Sequence, residues 1–399
     1  MFDERKRLTE KRRLVSARWV AVVVASLGIA VGVVAGLEFT GSDSAQVGAG
    51  AGAGFSTNPA STNPVRPPSN GSSVPLAGRV SMPKGSSVLW GAFVQGAPYN
   101  RSRLVSLEQS VGRTPAIVMW YQEWAGRQPF PSRDAEWLVS HGIVPMITWE
   151  PWRPPKVLHQ LVVDQPRYRL ARISAGAFDS YIRSYAEQVK RFGGPIMLRP
   201  FHEMDGTWYP WGGTVNGNSP AAFVAAWRHI HDIFQEVGAT NVTWIWSVNS
   251  GSVPDTPENS AARYWPGSRY VDWIGISGFN WGTSSSFGSW YTFDQVYKKR
   301  IRLLMQFRKP IVLTEIGAAE VGGNKPAWIR QTFSTIVRHY PRVHAFVWYD
   351  KRDSALQDWR IVSSRSSLAA FRGALQNPAF LSAPAAEPSA TRRRFAFSR

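Results

Sequence analysis

Short apolar runs alternate with amphipathic segments along the chain from Ser87 onward. The runs are rich in Val, Ile, Trp or Phe, a composition typical of buried strands. They predict eight strands, at residues 88–94, 116–121, 144–150, 196–203, 242–249, 271–279, 311–316 and 344–350. The segments between them carry apolar residues three and four positions apart, which predicts amphipathic helices. Helices are predicted at residues 133–141, 178–192, 220–237, 293–307 and 326–339, and several of them end near a glycine.

The alternation of strands and helices is typical of an α/β fold, and eight strands alternating with helices predict a (β/α)8 TIM barrel. The strands of such a barrel are covered on both faces, which explains why the predicted strands are almost continuously apolar. A doubly wound open sheet is the alternative. That fold typically has a glycine-rich phosphate loop after its first strand, and Gly91 and Gly96 do not form one. The sequence therefore favours the barrel and predicts no cofactor.

The chain begins with two segments of contrasting composition. Residues 1–18 are rich in Arg and Lys, whereas residues 19–37 are apolar and uncharged and are long enough to cross a bilayer as a helix. The positive-inside rule keeps the basic segment in the cytoplasm and places the rest of the chain outside. We therefore predict a single-pass anchor in the cell membrane. A cleaved signal peptide, which would yield a secreted protein, is the competing interpretation.

The segments on either side of the predicted barrel differ from it in composition. Residues 38–86 are dominated by Gly, Ala, Ser and Pro, which cannot bury a core and predict a flexible linker. The catalytic domain is predicted at residues 87–378, and residues 379–399 are predicted to be a basic, disordered tail. The linker would hold the domain away from the membrane.

The composition of the chain excludes some classes of function and favours one class of ligand. The chain of 399 residues has a formal net charge of +19 and contains 19 Trp and no Cys. The lack of Cys excludes disulfides, thiolate metal sites and a cysteine nucleophile. Much of the excess basic charge lies at the two ends, with no basic stripe interleaved with aromatic residues, so nucleic acid is not a predicted partner. The abundance of Trp favours carbohydrate, because the indole ring stacks on the apolar face of a sugar.

Two glutamates lie at the carboxyl ends of predicted strands, where the functional residues of a (β/α)8 barrel gather. Glu203 ends the fourth strand beside apolar residues, which would raise its pKa as a general acid requires. Glu315 ends the seventh strand within an apolar run, where a charge is costly unless it has a partner or a function. Such a pair can act as a protonated acid and an ionised nucleophile, the apparatus of glycoside hydrolysis. The second His of a zinc-binding HExxH motif is replaced by Gly206, so no metal site is predicted.

Two motifs carry a resemblance to a known family. The run RPFHEMDGTWYPWG at residues 199–212 resembles the acid/base motif of glycoside hydrolase family 26, and VLTEIG at residues 312–317 resembles its nucleophile strand. The family contains mainly endo-β-mannanases, with some mixed-linkage β-glucanases and β-1,3-xylanases. The resemblance implies a retaining (β/α)8 glycosidase with its catalytic glutamates on strands four and seven. Glu203 would be the acid/base and Glu315 the nucleophile.

The resemblance also implies which residues contact the sugar. His202, directly before the acid/base, would contact the sugar at the cleavage subsite. Trp208 would form part of the sugar-binding platform, and Trp348 would form the aromatic floor beneath the cleaved sugar. We therefore predict a retaining endo-β-glycanase, with β-1,4-mannan as the favoured substrate. The alternatives are a mixed-linkage β-glucanase, a β-1,3-xylanase or a non-catalytic polysaccharide-binding protein on the same barrel.

Four further residues are predicted at the mouth of the barrel. The family usually has a tyrosine at the end of strand six, whose hydroxyl binds the nucleophile, and Phe279 takes that place here. Glu150, Asn249 and Trp281 also lie at strand ends and are candidate substrate contacts. The predicted partners are therefore a polysaccharide and, through the N-terminal segment, the membrane.

Overall fold

The computed structural model describes residues 78–155, 162–286 and 288–383. The predicted basic segment, the anchor, most of the linker and most of the basic C-terminal tail lie outside these residues. Within the described part of the chain, no helix is long and apolar enough to cross a membrane.

Eight parallel strands form a closed barrel, as predicted. The strands are β1 (Val88–Val94), β2 (Ile117–Glu123), β3 (Val144–Glu150), β4 (Ile196–Pro200), β5 (Val242–Asn249), β6 (Trp273–Asn280), β7 (Ile311–Ala318) and β8 (Val343–Asp350). Each strand pairs with the next, and β1 closes the barrel by pairing with both β8 and β2. A short ninth strand, β9 (Phe380–Leu381), pairs in parallel with the start of β1.

Helices connect the strands on the outside of the barrel. The described α-helices are α1 (Arg101–Val111), α2 (Ser132–Ser140), α3 (Leu170–Ser174), α4 (Asp179–Phe192), α5 (Pro220–Val237), α6 (Phe293–Leu304), α7 (Lys325–His339) and α8 (Arg365–Ala374). Their ends follow local sequence signals. For α5, the Ser219 side chain accepts a hydrogen bond from Ala222 N at 3.1 Å, and Gly238 ends the helix in the left-handed conformation.

The strands contribute apolar residues to two clusters, one inside the barrel and one between the barrel and the helices. Residues such as Met119, Met146, Met197 and Val312 form a cluster inside the barrel. Their neighbours along each strand point outward and pack with apolar residues of the helices in a second cluster. Each strand is therefore buried on both faces, as expected for a parallel barrel. This arrangement leaves the carboxyl ends of the strands as the place where polar side chains can gather.

The packed region reaches slightly beyond the predicted domain ends. Val80 N donates a hydrogen bond to Thr243 Oγ1 at 2.7 Å, and Arg79 forms an ion pair with Asp272 at 3.1 Å. At the other end, β9 lies beyond residue 378 and its Phe380 is buried. Both extensions lie at the amino-terminal end of the barrel, away from the mouth.

Candidate active site

The turn after β4 presents Glu203 at the mouth of the barrel. The strand ends at Pro200, earlier than predicted, because Phe201 and Glu203 have positive φ angles of 52° and 53°. Non-glycine residues in this left-handed region are strained by about 1–3 kcal/mol each and cluster at functional sites. The backbone N–H of Glu203 donates to the carbonyl of Ser247 on β5 at 2.8 Å, which holds the turn against the barrel.

Asp205 anchors this turn from behind. Its buried carboxylate accepts hydrogen bonds from Arg300 Nη2 at 2.8 Å, Ser252 Oγ at 2.9 Å and the backbone N–H of Asn249 at 2.9 Å. The side-chain amide of Asn249 donates to the carbonyl of Gly251 at 2.8 Å. The backbone N–H of Asn249, which was predicted as a substrate contact, thus braces the Glu203 turn, while its side chain binds the loop after β5.

The indole of Trp208 folds back over the turn and binds Glu203. Its Nε1 donates to Glu203 Oε2 at 2.7 Å, and the side chain is only 4% exposed. Gly206 makes this approach possible, because a Cβ there would lie 2.4 Å from the Trp208 ring. Sequence analysis placed Trp208 in the sugar-binding platform, and this burial does not support that placement. Its contact is with the carboxyl group of the predicted acid.

Glu315 lies inside the mouth on β7, where a buried cation balances its charge. Arg199 Nη2 of β4 donates to Glu315 Oε1 at 2.6 Å, and Arg199 is fully buried. The Arg199 guanidinium is held in turn by Thr148 Oγ1 of β3, which accepts from Nε at 2.9 Å. The same guanidinium lies over the ring of Tyr121 on β2, 5.8 Å from the ring centroid, and the charge of Glu315 adds to burial in raising the pKa of the Tyr121 hydroxyl. The nucleophile candidate is therefore held by a buried cation from β4, a strand that does not neighbour β7 in the barrel.

The two glutamates differ in their electrostatic surroundings. Burial and the negative charge of Glu315 raise the pKa of Glu203 to about 8, whereas the Trp208 N–H and the charge of Arg199 act to lower it. Glu203 is therefore protonated at neutral pH. Glu315, paired with Arg199, has the counter-charge that an ionised carboxylate needs in a buried site. One carboxyl group can donate a proton while the other attacks as an anion.

His202 and Glu150 are brought together beside Glu203. His202 is 1% exposed, and its ring lies 4.5 Å from that of Tyr209, centroid to centroid. Its Nδ1 is 3.8 Å from Glu150 Oε1, while Glu150 Oε2 accepts from Trp152 Nε1 at 3.2 Å. Burial and the charge of Arg199 lower the pKa of His202 well below its usual range, so the ring is neutral.

Aromatic side chains from the ends of β6 and β8 lie on the opposite side of the mouth. Phe279 and Trp281 are both partly exposed, and each ring packs on Trp359, with centroids 4.9 Å and 5.0 Å apart. Phe279 also packs against Tyr349 at 5.4 Å. This partly exposed aromatic surface is suited to contact with a sugar ring.

Trp348 does not reach the mouth. It is fully buried, and its ring packs against Phe371 of α8 and Trp328 of α7, behind the barrel wall. The predicted role as the floor of the sugar site does not fit this position. Successive residues of a strand point to opposite faces, and at this point the inward-facing residue is Tyr349.

Sequence analysis assigned no role to Tyr121 or Arg199. Arg199 could have been found by the argument used for Glu315, because it is a charged residue within the apolar first part of the fourth predicted strand. Tyr121 gave no such signal, since a tyrosine in an apolar run is typical of a core strand.

Among the described residues, no group of three or more His, Asp or Glu could hold a metal ion.

A protonated glutamate and an arginine-paired glutamate at the mouth of a (β/α)8 barrel are typical of the glycoside hydrolase class. Sequence comparison agrees, because the profile of "Glycosyl hydrolase family 26" matches residues 157–321. The chain belongs to glycosyl hydrolase family 26.

Several relatives support the assignment. Endoglucanase H of Acetivibrio thermocellus is 38% identical over 288 residues, covering 71% of this chain and 30% of that protein. A mannan endo-1,4-beta-mannosidase of Bacillus subtilis strain 168 is 24% identical over 183 residues, covering 44% of this chain and 45% of the relative. The chain thus spans less than half the length of either relative.

The fold is also found in solved structures. The GH26 beta-mannanase of Bacteroides ovatus superimposes with a TM-score of 0.56 at 20% sequence identity, covering 75% of this chain and 91% of that chain. At this identity the similarity concerns the fold alone.

The Trp208 contact predicts a shift in the pH profile. Trp208→Phe removes the N–H that stabilises the Glu203 carboxylate, so the pKa of Glu203 should rise further. The alkaline limb of kcat/KM, where Glu203 loses its proton, should move upward by about 1–2 pH units, since a hydrogen bond to a charged group contributes about 1.5–3 kcal/mol.

The matched control is Trp227→Phe. It removes an indole N–H that donates to the carbonyl of Tyr270 behind the barrel, at 3.1 Å. This control should leave the pH profile of kcat/KM unchanged. A Trp208→Phe profile that coincides with the wild type would show that the indole does not act on Glu203.

Proposed function

We propose that the protein is a retaining endo-β-glycanase that uses Glu203 as acid/base and Glu315 as nucleophile. The observation that carries the proposal is the different surroundings of two carboxyl groups at one barrel mouth, of which one is buried beside an indole N–H and the other is paired with a buried arginine. Glu203 holds a proton at neutral pH, while Glu315 faces the guanidinium of Arg199 at 2.6 Å.

The reaction proceeds in two displacements. In the first, Glu315 attacks the anomeric carbon, the glycosidic C–O bond breaks, and Glu203 gives its proton to the leaving oxygen. In the second, Glu203 takes a proton from water, the water oxygen bonds to the anomeric carbon, and the ester to Glu315 breaks. Both carboxyl groups return to their starting states, and the anomeric configuration is retained.

The electrostatics of the pair support both roles of Glu203. The charge of Glu315 is one of the causes that raise the pKa of Glu203. When Glu315 becomes an ester, that charge disappears, so the pKa of Glu203 falls. The group that donates a proton in the first step is thereby converted into a better base for the second step.

A β-glucan is the first candidate substrate, and a β-mannan is the second. The glucan is favoured because the relative named an endoglucanase is 38% identical over 288 residues. The mannan, which sequence analysis favoured, is supported by relatives named mannan endo-1,4-beta-mannosidase, which are 24% and 28% identical over 183 and 171 residues. A β-1,3-xylan has comparable support, from a β-1,3-xylanase of a Vibrio species that is 27% identical over 124 residues.

Release of reducing ends from purified polymers tests this proposal. Mixed-linkage β-glucan, β-1,4-mannan and β-1,3-xylan should be compared at matched concentrations, with the Glu315→Gln protein as the blank. We expect the highest kcat/KM on the glucan and internal cleavage that lowers viscosity before small sugars accumulate. Binding of a polymer without release of reducing ends from any of them would favour the non-catalytic alternative.

We also propose that residues 19–37 anchor the domain to the outer face of the cell membrane. The proposal rests on the apolar run that follows a basic segment. The full-length protein should sediment with membranes and resist extraction by high salt, and protease added to intact cells should remove the barrel. A soluble product that begins between residues 45 and 54 would instead indicate a cleaved signal peptide.

A further inference from the structure

Two buried polar atoms beside the acid/base lack hydrogen-bond partners within the described part of the chain. They are Glu150 Oε1 and His202 Nδ1, and they lie 3.8 Å from each other. Buried polar side-chain atoms nearly always have a partner, and each exception calls for an explanation. Since His202 directly precedes Glu203 in the sequence and Glu150 faces His202, the explanation bears on the active site.

The two groups are held so that they face each other. Trp152 Nε1 binds Glu150 Oε2 at 3.2 Å, which directs Oε1 toward the histidine. The carbonyl of His202 accepts from Trp211 Nε1 at 2.6 Å, and its ring is flanked by Tyr209. A gap of 3.8 Å exceeds a hydrogen bond by about 0.6–1 Å, and hydrogen bonds in sites without substrate are often long.

The protonation of both groups determines which one donates. Burial raises the pKa of Glu150 well above its usual range; the charges of Glu123 and Glu315 add to this, while the Trp152 N–H and Arg199 oppose it. The imidazole of His202 is neutral, as described above. A carboxylic acid therefore faces a neutral ring, and the acid has a proton to donate while the facing nitrogen can accept it.

We propose that Glu150 is a positioning residue that donates a hydrogen bond from its carboxylic acid to Nδ1 of His202. This bond fixes the tautomer of His202 in which Nε2 carries the proton. His202 then offers a donor, rather than an acceptor, to a sugar hydroxyl at the cleavage subsite. That last step rests on the proposed function, whereas the tautomer itself does not.

The alternative is an ionised Glu150, which would accept a hydrogen bond from Nδ1–H. His202 would then have a bare Nε2 and would offer an acceptor to the sugar. The two arrangements differ in the position of one proton, and each makes a different demand on residue 150. The first needs a donor at that position, and the second needs a negative acceptor.

Glu150→Gln and Glu150→Leu distinguish the two arrangements. Trp152 Nε1 needs an acceptor, so the glutamine oxygen faces Trp152 and the amide N–H faces His202 Nδ1. Glu150→Gln therefore keeps a donor to His202, and its kcat should stay within about 3-fold of the wild type. Glu150→Leu removes the donor and should lower kcat about 10-fold, as expected for the loss of one hydrogen bond.

The tautomer is read directly by 15N NMR of the full-length protein labelled at histidine. The chain has 7 His, and the signals of His202 are assigned by their absence in His202→Asn. In the wild type and in Glu150→Gln, we expect a protonated Nε2 and a bare Nδ1. In Glu150→Leu, the two tautomers should both be populated.

The outcomes separate this inference from the proposed function. A wild-type spectrum with the proton on Nδ1 would overturn the inference, as would equal losses of kcat in Glu150→Gln and Glu150→Leu. A Glu150→Leu protein that does not fold leaves the wild-type spectrum as the deciding measurement. If the wild type cleaves no polysaccharide but shows Nε2–H, the proposed function fails and the tautomer stands. In a His202→Ala background, the Glu150→Leu change should lower kcat little further.

Discussion

Glu315→Gln should reduce kcat for polysaccharide about 10⁴-fold or more, because the covalent step then has no nucleophile. Glutamine is chosen because it keeps an oxygen for Arg199. In Glu315→Ala the guanidinium would be buried without its partner, and breaking a buried pair in that way costs about 3–5 kcal/mol of folding stability. Initial rates of reducing-end release, with thermal unfolding as a check on the fold, measure the effect.

The control for this prediction is Glu320→Gln. Glu320 follows β7 in the sequence, and its carboxylate accepts from Ser367 Oγ at 2.8 Å, outside the cleft. Its loss should leave kcat within a few-fold of the wild type. Substantial activity in a folded Glu315→Gln protein would contradict the assignment of the nucleophile.

Glu203→Ala should lower kcat on polysaccharide about 10²–10⁴-fold, the usual contribution of general acid–base catalysis. Aryl glycosides with good leaving groups need no proton in the first displacement, so the glycosyl-enzyme should still form with them and then accumulate. Azide needs no general base, and it should restore turnover of these substrates. Rapid-mix kinetics and product analysis measure the accumulation and the rescue.

The configuration of the azide product distinguishes the two glutamates. Azide that attacks the glycosyl-enzyme enters from the face that the leaving group left, so Glu203→Ala should give the β-glycosyl azide. An α-glycosyl azide would mean that azide had replaced the nucleophile, which is the result expected of a protein that lacks Glu315. That outcome would reverse the roles assigned to the two residues.

The barrel could be predicted from the sequence because its strands are buried on both faces. Each strand is then a short apolar run, and the breaks between runs are clear. The end of β4 was placed too late, at residue 203, because the positive φ angles of Phe201 and Glu203 leave no mark in the residue types. The prediction of Glu203 as an acid did not depend on where the strand ended.

The direction in which a side chain points was harder to predict. In a strand with apolar residues on both faces, apolar and polar residues do not alternate. The sequence then does not show which side chains point into the barrel and which point toward the helices. The family resemblance assigned Trp348 to the sugar site, and the strand pattern gave no sign that it packs on α7 and α8. Trp208 was assigned to the sugar-binding platform, and no sequence pattern showed that its ring folds over Gly206 to reach Glu203.

Contacts between strands that are distant in the sequence were also hard to predict. Phe279 lacks the hydroxyl that the family usually supplies from strand six, whereas the Tyr121 hydroxyl of β2 lies near enough to Glu315 for the charge of Glu315 to help raise its pKa. The pairing depends on how β2 and β7 face each other across the barrel, which no local pattern specifies. Charged residues in apolar strands, such as Arg199 and Glu315, are the signal that was present in the sequence.

Trapping the glycosyl-enzyme tests the central claim most directly. The wild-type protein should be treated with an activated 2-deoxy-2-fluoro glycoside of the disaccharide it cleaves, digested, and mapped by mass spectrometry. The fluorine slows both displacements, and the good leaving group lets the first one proceed, so the covalent intermediate persists. We predict one glycosyl group per chain, carried by Glu315. A label on any other residue, or turnover with no covalent intermediate and an inverted product, would contradict a retaining mechanism based on Glu203 and Glu315.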